Sequence, residues 1–225
     1  MNKILSLTFV LISGILLQAQ QVSLNEISRK ARFDKQIVEL NNGASKINYS
    51  DIQGIPYYYP EFIPAKVGET TNIVPMRYNS FLDTVEVVEK EDVYQISKNE
   101  TSPTFTFETT KEKLVFVKTN DLYSGYFFEL TGGKFKILKK VITKYFEAIA
   151  APNPMIAGTA ARFDTQKPIY FIQFENTFIK IPKSVKELAG KFPAQVASIN
   201  DFANKNKIKL NREEDLIKLG NFLNQ

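Results

Sequence analysis

The chain has 225 residues, 44% of them hydrophobic, and carries a net charge of +5 with no His and no Cys. The lack of His and Cys excludes Ser-His-Asp and Cys-His catalysis, thiol redox chemistry and zinc sites built on these ligands. It also excludes disulfides, so burial alone must hold the fold together. No Walker, Rossmann or calcium-loop motif occurs, and the sequence predicts no catalytic residue, no metal site and no cofactor.

Residues 1–19 have the pattern of a signal peptide. Met1-Asn2-Lys3 is a short positive region, and the apolar run that follows to Leu17 is too short to span a bilayer comfortably. The small residue Ala19 marks the cleavage region, so we expect the mature chain to begin at Gln20 or Gln21. We therefore predict an exported protein, periplasmic, outer-membrane-associated or secreted, with no transmembrane segment in the mature chain and no nucleic-acid partner.

A polar lead-in at 20–53 precedes the most unusual segment of the chain, residues 54–64. Three prolines predict that this segment is an extended rim rather than a helix or a central strand. It contains Tyr57, Tyr58 and Tyr59, three adjacent tyrosines. They could form an aromatic platform for a sugar or a peptide, or they could pack as a plug against the end of a sheet.

Residues 67–96 alternate apolar and polar side chains with period two, which is typical of antiparallel strands, and further strand-like segments follow to residue 182. Short strands are predicted around 74–78, 85–87, 93–96, 104–108 and 114–117. Two hairpins are predicted, 126–130 with 134–138 across Gly132-Gly133, extended by 141–146, and 169–174 with 177–181. The absence of helices between the strands excludes a parallel βαβ sheet.

Two segments depart from the strand pattern. Residues 148–161 are small and apolar with two prolines, which predicts a loop that either packs down or faces a partner. From Ser184 the period becomes helical, with Ser184 as a helix cap, a second helix through Ile199 and a third helix started by Asn211 and Glu214. The predicted fold is mainly β (α+β), an antiparallel meander sheet, sandwich or partly open barrel at 54–182, with a helical cap of two to three short helices at 183–225.

One spacing resembles a group of uncharacterised secreted β-rich proteins of Bacteroidota. It runs Gly54-x-Pro56-Tyr57, Phe62 and Val67, followed by Arg77-Tyr78-Asn79, Asp83 and Val85-Glu86-Val87. The tail at 205–219 is similar as well, and the resemblance covers most of 54–225. This chain departs from the group in its longer lead-in and in Ala65, where glycine is common. The resemblance implies export and a β-rich architecture, and it supplies no catalytic residues.

The first functional hypothesis is a non-enzymatic module of the cell envelope that binds an envelope protein, a glycan or a lipid. Its contact surfaces would be the loop at 152–160 and a predicted binding site of six side chains: Tyr57, Tyr58, Tyr59, Phe62, Arg77 and Tyr78. The alternation of Glu86 with valines places the nearby acids on the solvent face of strands or in turns.

Two alternatives stay open. A glycan hydrolase would use two carboxylates chosen from Asp83, Glu86, Glu89, Glu91, Asp92 and Glu108. A carrier would hold an apolar ligand in an unfilled cavity lined by Phe105, Phe107, Phe128 and Phe171. Lys134, Lys136, Lys139, Lys140 and Lys144 form a basic run, interpreted either as a contact for anionic glycan or lipid or as charges that protect an exposed or edge strand.

Overall fold

The computed structural model describes residues 52–69, 73–89, 92–96, 98, 102–151, 153, 155–175 and 177–225. The predicted signal peptide and nearly all of the predicted lead-in lie outside these residues. Twelve strands lie within them: β1 Ile63–Val67, β2 Ile73–Asn79, β3 Thr84–Glu89, β4 Asp92–Ile96, β5 Phe105–Phe107, β6 Lys113–Val117, β7 Gly125–Thr131, β8 Phe135–Lys140, β9 Thr143–Phe146, β10 Arg162–Thr165, β11 Ile169–Phe174 and β12 Thr177–Lys180. The helices are α1 Val185–Gly190, a 3₁₀ turn at Pro193–Gln195, α2 Val196–Asn206 and α3 Glu213–Leu223.

Ten strands form one antiparallel sheet in the order β12-β11-β8-β7-β6-β5-β1-β2-β3-β4, and β9 pairs with β10 in a separate ribbon. The large sheet does not close into a barrel. The prediction of a mainly β, antiparallel fold with short C-terminal helices is therefore confirmed. The helices of the described residues do not combine the length and hydropathy required to cross a membrane.

The sheet is strongly curled between β2 and β7. Four inter-strand spacings separate these strands in the sheet order, which is about 19 Å in a flat sheet. Yet the ring centroids of Tyr78 on β2 and Phe128 on β7 lie 5.9 Å apart. The inner face of the curl is a core of fully buried side chains that includes Met76, Phe105 and Leu114. Because aromatic rings fill this curl edge to face, the sheet buries its inner face without closing.

The helices cover the same face of the sheet further along, over β8 and β11. Ile137 and Ile172 of these strands pack with Leu188, Ile199 and Leu216 of the helices in a second core. α3 approaches the sheet at Gly220, where an added Cβ would lie 2.6 Å from the side chains of β7 and β8. At the end of α3, Asn224 accepts a hydrogen bond from the backbone N–H of Phe135 at 2.9 Å and so fixes the β7–β8 turn.

The Pro-rich segment does not remain a rim, and this prediction is wrong for its last residues. Ile63–Val67 is an interior strand between β2 and β5. Pro64 is tolerated there because it pairs with Pro75 of β2, at a position where neither residue is needed as a hydrogen-bond donor. On its other side, the Pro64 carbonyl accepts a hydrogen bond from Glu108 N at 2.9 Å. A proline at the end of a hydrogen-bonded ladder costs one donor and does not end the strand.

Two local predictions are also corrected. Residues 143–146 do not extend β8 but pair with 162–165, a strand that the sequence analysis missed. The N-cap of α3 is Arg212, without a side-chain hydrogen bond, rather than Asn211. Three acidic residues in the first turn, Glu213, Glu214 and Asp215, instead complement the helix dipole. The Ser184 cap of α1 is confirmed, since its side chain accepts from Glu187 N.

Candidate functional site

The six side chains of the predicted binding site lie in three separate clusters. Tyr57, Phe62 and Arg77 are together, Tyr58 and Tyr59 join a second cluster, and Tyr78 belongs to a third. Tyr57 and Tyr78 are buried, and both Tyr58 and Tyr59 pack against the core inside the curl. The tyrosines therefore cover the sheet more than they form an open platform, and their role in binding stays a prediction.

Arg77 is held by a carboxylate and two aromatic rings. Its guanidinium carbon lies 3.6 Å from the centroid of Tyr57 and 4.3 Å from that of Phe62. Its Nε and Nη2 donate to Glu86 Oε2 at 2.9 and 2.8 Å. Burial and the charge of Glu86 raise the pKa of Tyr57 to about 12, against the opposing effect of Arg77. An added anion would have to displace Glu86 from this cluster.

Tyr58 and Tyr59 reach the Lys139 cluster, which also contains Glu112, Glu213 and Tyr170. Lys139 is nearly fully buried, with its Nζ 3.3 Å from Glu112 and 3.2 Å from Glu213. The hydroxyls of Tyr58 and Tyr59 donate to the two oxygens of Glu112. The cluster joins the β5–β6 turn, strand β8 and the first turn of α3.

The protonation of this cluster is set by its contacts. Burial raises the pKa of Glu112. Hydrogen bonds from Tyr59 and Tyr58 and the charge of Lys139 together lower this pKa by more than burial raises it, so the pKa is below its ordinary value. Burial and Glu213 raise the pKa of Tyr170 to about 12. A glycan hydrolase needs one carboxyl that stays protonated. Glu112 is instead kept ionised beside a lysine, which is the opposite arrangement.

Tyr78 belongs to the third cluster, built around Asp83. Asp83 accepts hydrogen bonds from Tyr78 Oη at 2.8 Å, from Tyr126 N at 3.1 Å and from Lys140 Nζ at 3.0 Å. Its side chain is only 13% exposed. A Cβ at Gly125 would overlap the Asp83 carboxylate, so this contact requires glycine. Asp83 thus closes the curl at one end.

Among the described acids named for hydrolysis, Asp83 lies in the β2–β3 turn and Glu86 points away from the core that contains Val85, as predicted, and each is ion-paired. Glu86 forms an ion pair with Arg77, and Asp83 forms one with Lys140. Glu108 pairs with Lys66 of β1 at 3.2 Å. Glu91 lies outside the described residues, and so do the side chains of Glu89 and Asp92. Ion pairing explains why these charges tolerate partial burial.

The prediction that the basic run lies on an edge or exposed strand is wrong. β8 lies between β7 and β11, and Lys139 and Lys140 are buried in the two charge clusters. Lys134 and Lys136 at the start of β8 have exposed side chains, and Lys144 lies beyond it on β9. A buried lysine with a carboxylate partner has the same sequence pattern as an exposed one, and the partners here come from distant turns.

The phenylalanines predicted to line a carrier cavity are packed against neighbours. Phe105, Phe107 and Phe128 are fully buried in the core inside the curl, and Phe171 belongs to a separate cluster on the other face with Phe127 and Leu138. These side chains fill the space that the carrier hypothesis assigned to a ligand.

The apolar loop at 148–161 is exposed at every described residue except Ala161, which is half-buried. Met155 is 95% exposed, and Ile149 and Ile156 are also exposed. Hydrogen bonds at 2.8 Å in both directions between Ile149 and Thr159 fix its base. The loop therefore does not pack down in the described residues, and its contact with a partner stays a prediction.

A surface groove of about 890 Å³ opens where the β11–β12 hairpin meets the helical cap. This volume lies within the range of small-molecule sites. Four aliphatic side chains of its floor continue the core under the helices: Ile181, Val185, Ile208 and Leu210. Ile169 also lines the groove but packs against the Phe171 cluster on the other face of the sheet. Tyr170 also lines it, and the Tyr170 hydroxyl donates to Glu213 at 3.2 Å. We call this feature the lysine-rimmed groove.

The rim of the lysine-rimmed groove carries four exposed lysines, Lys167, Lys180, Lys183 and Lys209. None of the residues that line the groove is acidic. Lys180 reaches the hydroxyl of Tyr123 at 3.3 Å. Within the described part of the chain, no carboxylate lies within ion-pair distance of the other three, whereas Lys66, Lys113, Lys139 and Lys140 all have one.

The sequence analysis missed this groove, although a signal for it is present. The β11–β12 hairpin is bounded by Lys167-Pro168-Ile169 and by its mirror image, Ile181-Pro182-Lys183. Antiparallel pairing of β11 with β12 brings these two ends together. A mirrored Lys-Pro-Ile at the open end of a predicted hairpin therefore indicates a paired basic rim over aliphatic residues.

No group of three or more acidic side chains that could hold a metal ion occurs in the described residues. Comparison of the chain with known proteins found no matching family model, no similar curated protein and no similar solved structure.

Proposed function

We propose that this protein is an exported, non-enzymatic module of the cell envelope that binds an anionic ligand in the lysine-rimmed groove. The observation that carries the proposal is the combination of an open apolar floor with four rim lysines and no lining carboxylate. Unpaired ammonium groups beside apolar surface form charge-assisted hydrogen bonds to carboxylates or phosphates. The net charge of +5 favours approach of an anionic partner over longer distances.

The polar clusters elsewhere support a binding role over catalysis. Arg77 and Asp83 have their charges met by partners from the same chain. Lys139 likewise lies between two carboxylates. Such clusters hold the curl and the cap in place, and the charges inside them are not available to a ligand.

The binding proposal is tested with four anionic probes on the mature chain: laurate, phosphatidylglycerol vesicles, polyglutamate and polygalacturonate. Binding is measured by calorimetry or, for vesicles, by co-flotation. The test variant is Lys183→Glu/Lys209→Glu. Lys191→Glu/Lys205→Glu is the control, because it changes the net charge equally at exposed positions outside the groove.

We expect at least one probe to bind saturably, the test variant to weaken that binding roughly tenfold or more, and the control to change it less than threefold. These thresholds correspond to the loss of charge-assisted hydrogen bonds against a change in net charge alone. If no probe binds, or if both variants weaken binding equally, the groove is not the binding site.

Export is tested separately, because it rests on the N-terminal sequence. The full chain is expressed in a bacterial host, and the N-terminus of the exported form is mapped by mass spectrometry. We expect it to begin at Gln20 or Gln21. A chain that keeps Met1 and stays in the cytoplasm would contradict export without bearing on the groove.

A further inference from the structure

The floor of the lysine-rimmed groove is aliphatic along its length. Ile208 and Leu210 are buried in the core under the helices, and Ile181 and Val185 are half-buried and pack against that core. The groove is thus a place where the core between the sheet and the cap opens to solvent. A flexible aliphatic chain that lies there would extend this core and remove its exposed surface from water.

The polar groups of the groove lie on the rim. They are the ammonium groups of Lys167, Lys183 and Lys209 and the side chain of Asn211, so the charged groups are all hydrogen-bond donors. The fourth lining lysine, Lys180, directs its ammonium group to Tyr123 instead. The one aromatic side chain that lines the groove, Tyr170, has its hydroxyl committed to Glu213. The acid Glu213 is in turn paired with Lys139, which it shares with Glu112. The site therefore separates apolar contact from positive charge.

We infer that the ligand of the lysine-rimmed groove is a free single-chain amphiphile, an acyl chain with a carboxylate or phosphate at one end. The chain lies on the aliphatic floor, and the anionic head meets the rim lysines. This inference rests on the proposed function and deepens it. An acidic peptide also carries backbone N–H donors, and no carboxylate in the groove would accept their hydrogen bonds. A glycan carries hydroxyl groups, which would lie without partners on an aliphatic floor that has one aromatic ring.

The inference is tested by comparing matched ligands by calorimetry below their critical micelle concentrations. Laurate, decanoate and octanoate vary the chain, and dodecyl phosphate replaces the carboxylate. Dodecanol removes the charge, and acetate removes the chain. Phosphatidylglycerol vesicles present the same chemistry in a bilayer. The variant Lys183→Glu/Lys209→Glu and its control Lys191→Glu/Lys205→Glu are measured with laurate.

We expect one laurate per chain and a two- to fourfold loss of affinity for each methylene removed, up to the value for full burial of a CH₂ group. Dodecyl phosphate should bind within about fivefold of laurate. Dodecanol should bind roughly tenfold more weakly, and acetate should not bind measurably. The groove variant should lose laurate affinity roughly tenfold while its circular dichroism spectrum and urea midpoint match those of the control.

Three outcomes overturn the inference. Affinity that is independent of chain length, equal binding of dodecanol and laurate, or binding to vesicles without binding to the monomers would each exclude a free amphiphile. If polyglutamate or polygalacturonate binds through Lys183 and Lys209 while laurate does not, the inference fails and the proposed function stands. If no anionic probe binds, both fail.

Discussion

Replacing Lys139 with methionine tests how the sheet and the helical cap are joined. Lys139 is 5% exposed in its side chain and contacts Glu112 at 3.3 Å and Glu213 at 3.2 Å. Methionine fills a similar volume without charge. The variant therefore leaves two partly buried carboxylates without their cation, and it does so where β8, the β5–β6 turn and α3 meet.

Removing one partner of a fully buried ion pair costs about 3–5 kcal/mol. Glu112 and Glu213 are 21% and 34% exposed, so water compensates part of the loss. We expect Lys139→Met to lower the free energy of unfolding by about 2–3 kcal/mol. The control is Lys136→Met on the same strand, whose side chain is 43% exposed and whose partner Glu129 keeps Lys113. This control should cost at most about 1 kcal/mol.

The assay is urea unfolding of the mature chain at pH 7, repeated at acidic pH. Because contacts in the folded state lower the pKa of Glu112, its ionised form contributes stability above its unfolded pKa. This contribution is lost as the pH falls through the folded pKa. The deficit of Lys139→Met should therefore narrow at acidic pH. A deficit no larger than that of Lys136→Met, or one that is unchanged with pH, would refute the reasoning.

Two glycine substitutions, each with a matched glycine control, test the close approaches of the fold by thermal and urea unfolding. Gly220→Ala places a Cβ 2.6 Å from sheet side chains and should destabilise by about 1–3 kcal/mol, whereas Gly190→Ala meets nothing within 4 Å and should be neutral or slightly stabilising. Gly125→Ala displaces the Asp83 carboxylate and should cost more than 2 kcal/mol, against less than 1 kcal/mol for Gly132→Ala, whose nearest contact is at 3.7 Å. Equal effects within either pair would contradict the described packing.

Much of the fold could be predicted because strand periodicity is a local signal. The hairpin at 125–140 has aromatic and aliphatic runs on either side of Gly132-Gly133, and Gly133 adopts the positive φ of +92° that the turn requires. The helices follow from the change of period after Ser184. β1 was not predicted because Pro64 and the two prolines before it suppress the strand signal. The pairing of Pro64 with Pro75 makes Pro64 compatible with an interior strand.

The candidate site was harder to predict because it depends on contacts between distant segments. Lys139 reads as a solvated charge until Glu112 and Glu213, 27 and 74 residues away, are brought to it. Tyr58 reads as an exposed aromatic until its ring packs 4.4 Å from that of Phe128. The groove also depends on residues 208–211 folding back against the β11–β12 hairpin, and the mirrored Lys-Pro-Ile at the hairpin ends does not indicate this contact.

The most direct test of the central claim is an NMR titration of the isotopically labelled mature chain with laurate. We predict saturable shifts confined to the amides at 167–170, 180–185 and 208–211, apart from Pro168 and Pro182, which have no N–H. The surroundings of Arg77 and the loop at 148–161 should remain unchanged. Shifts that concentrate at Tyr57, Phe62 and Arg77 while the lysine-rimmed groove stays unaffected would contradict the account.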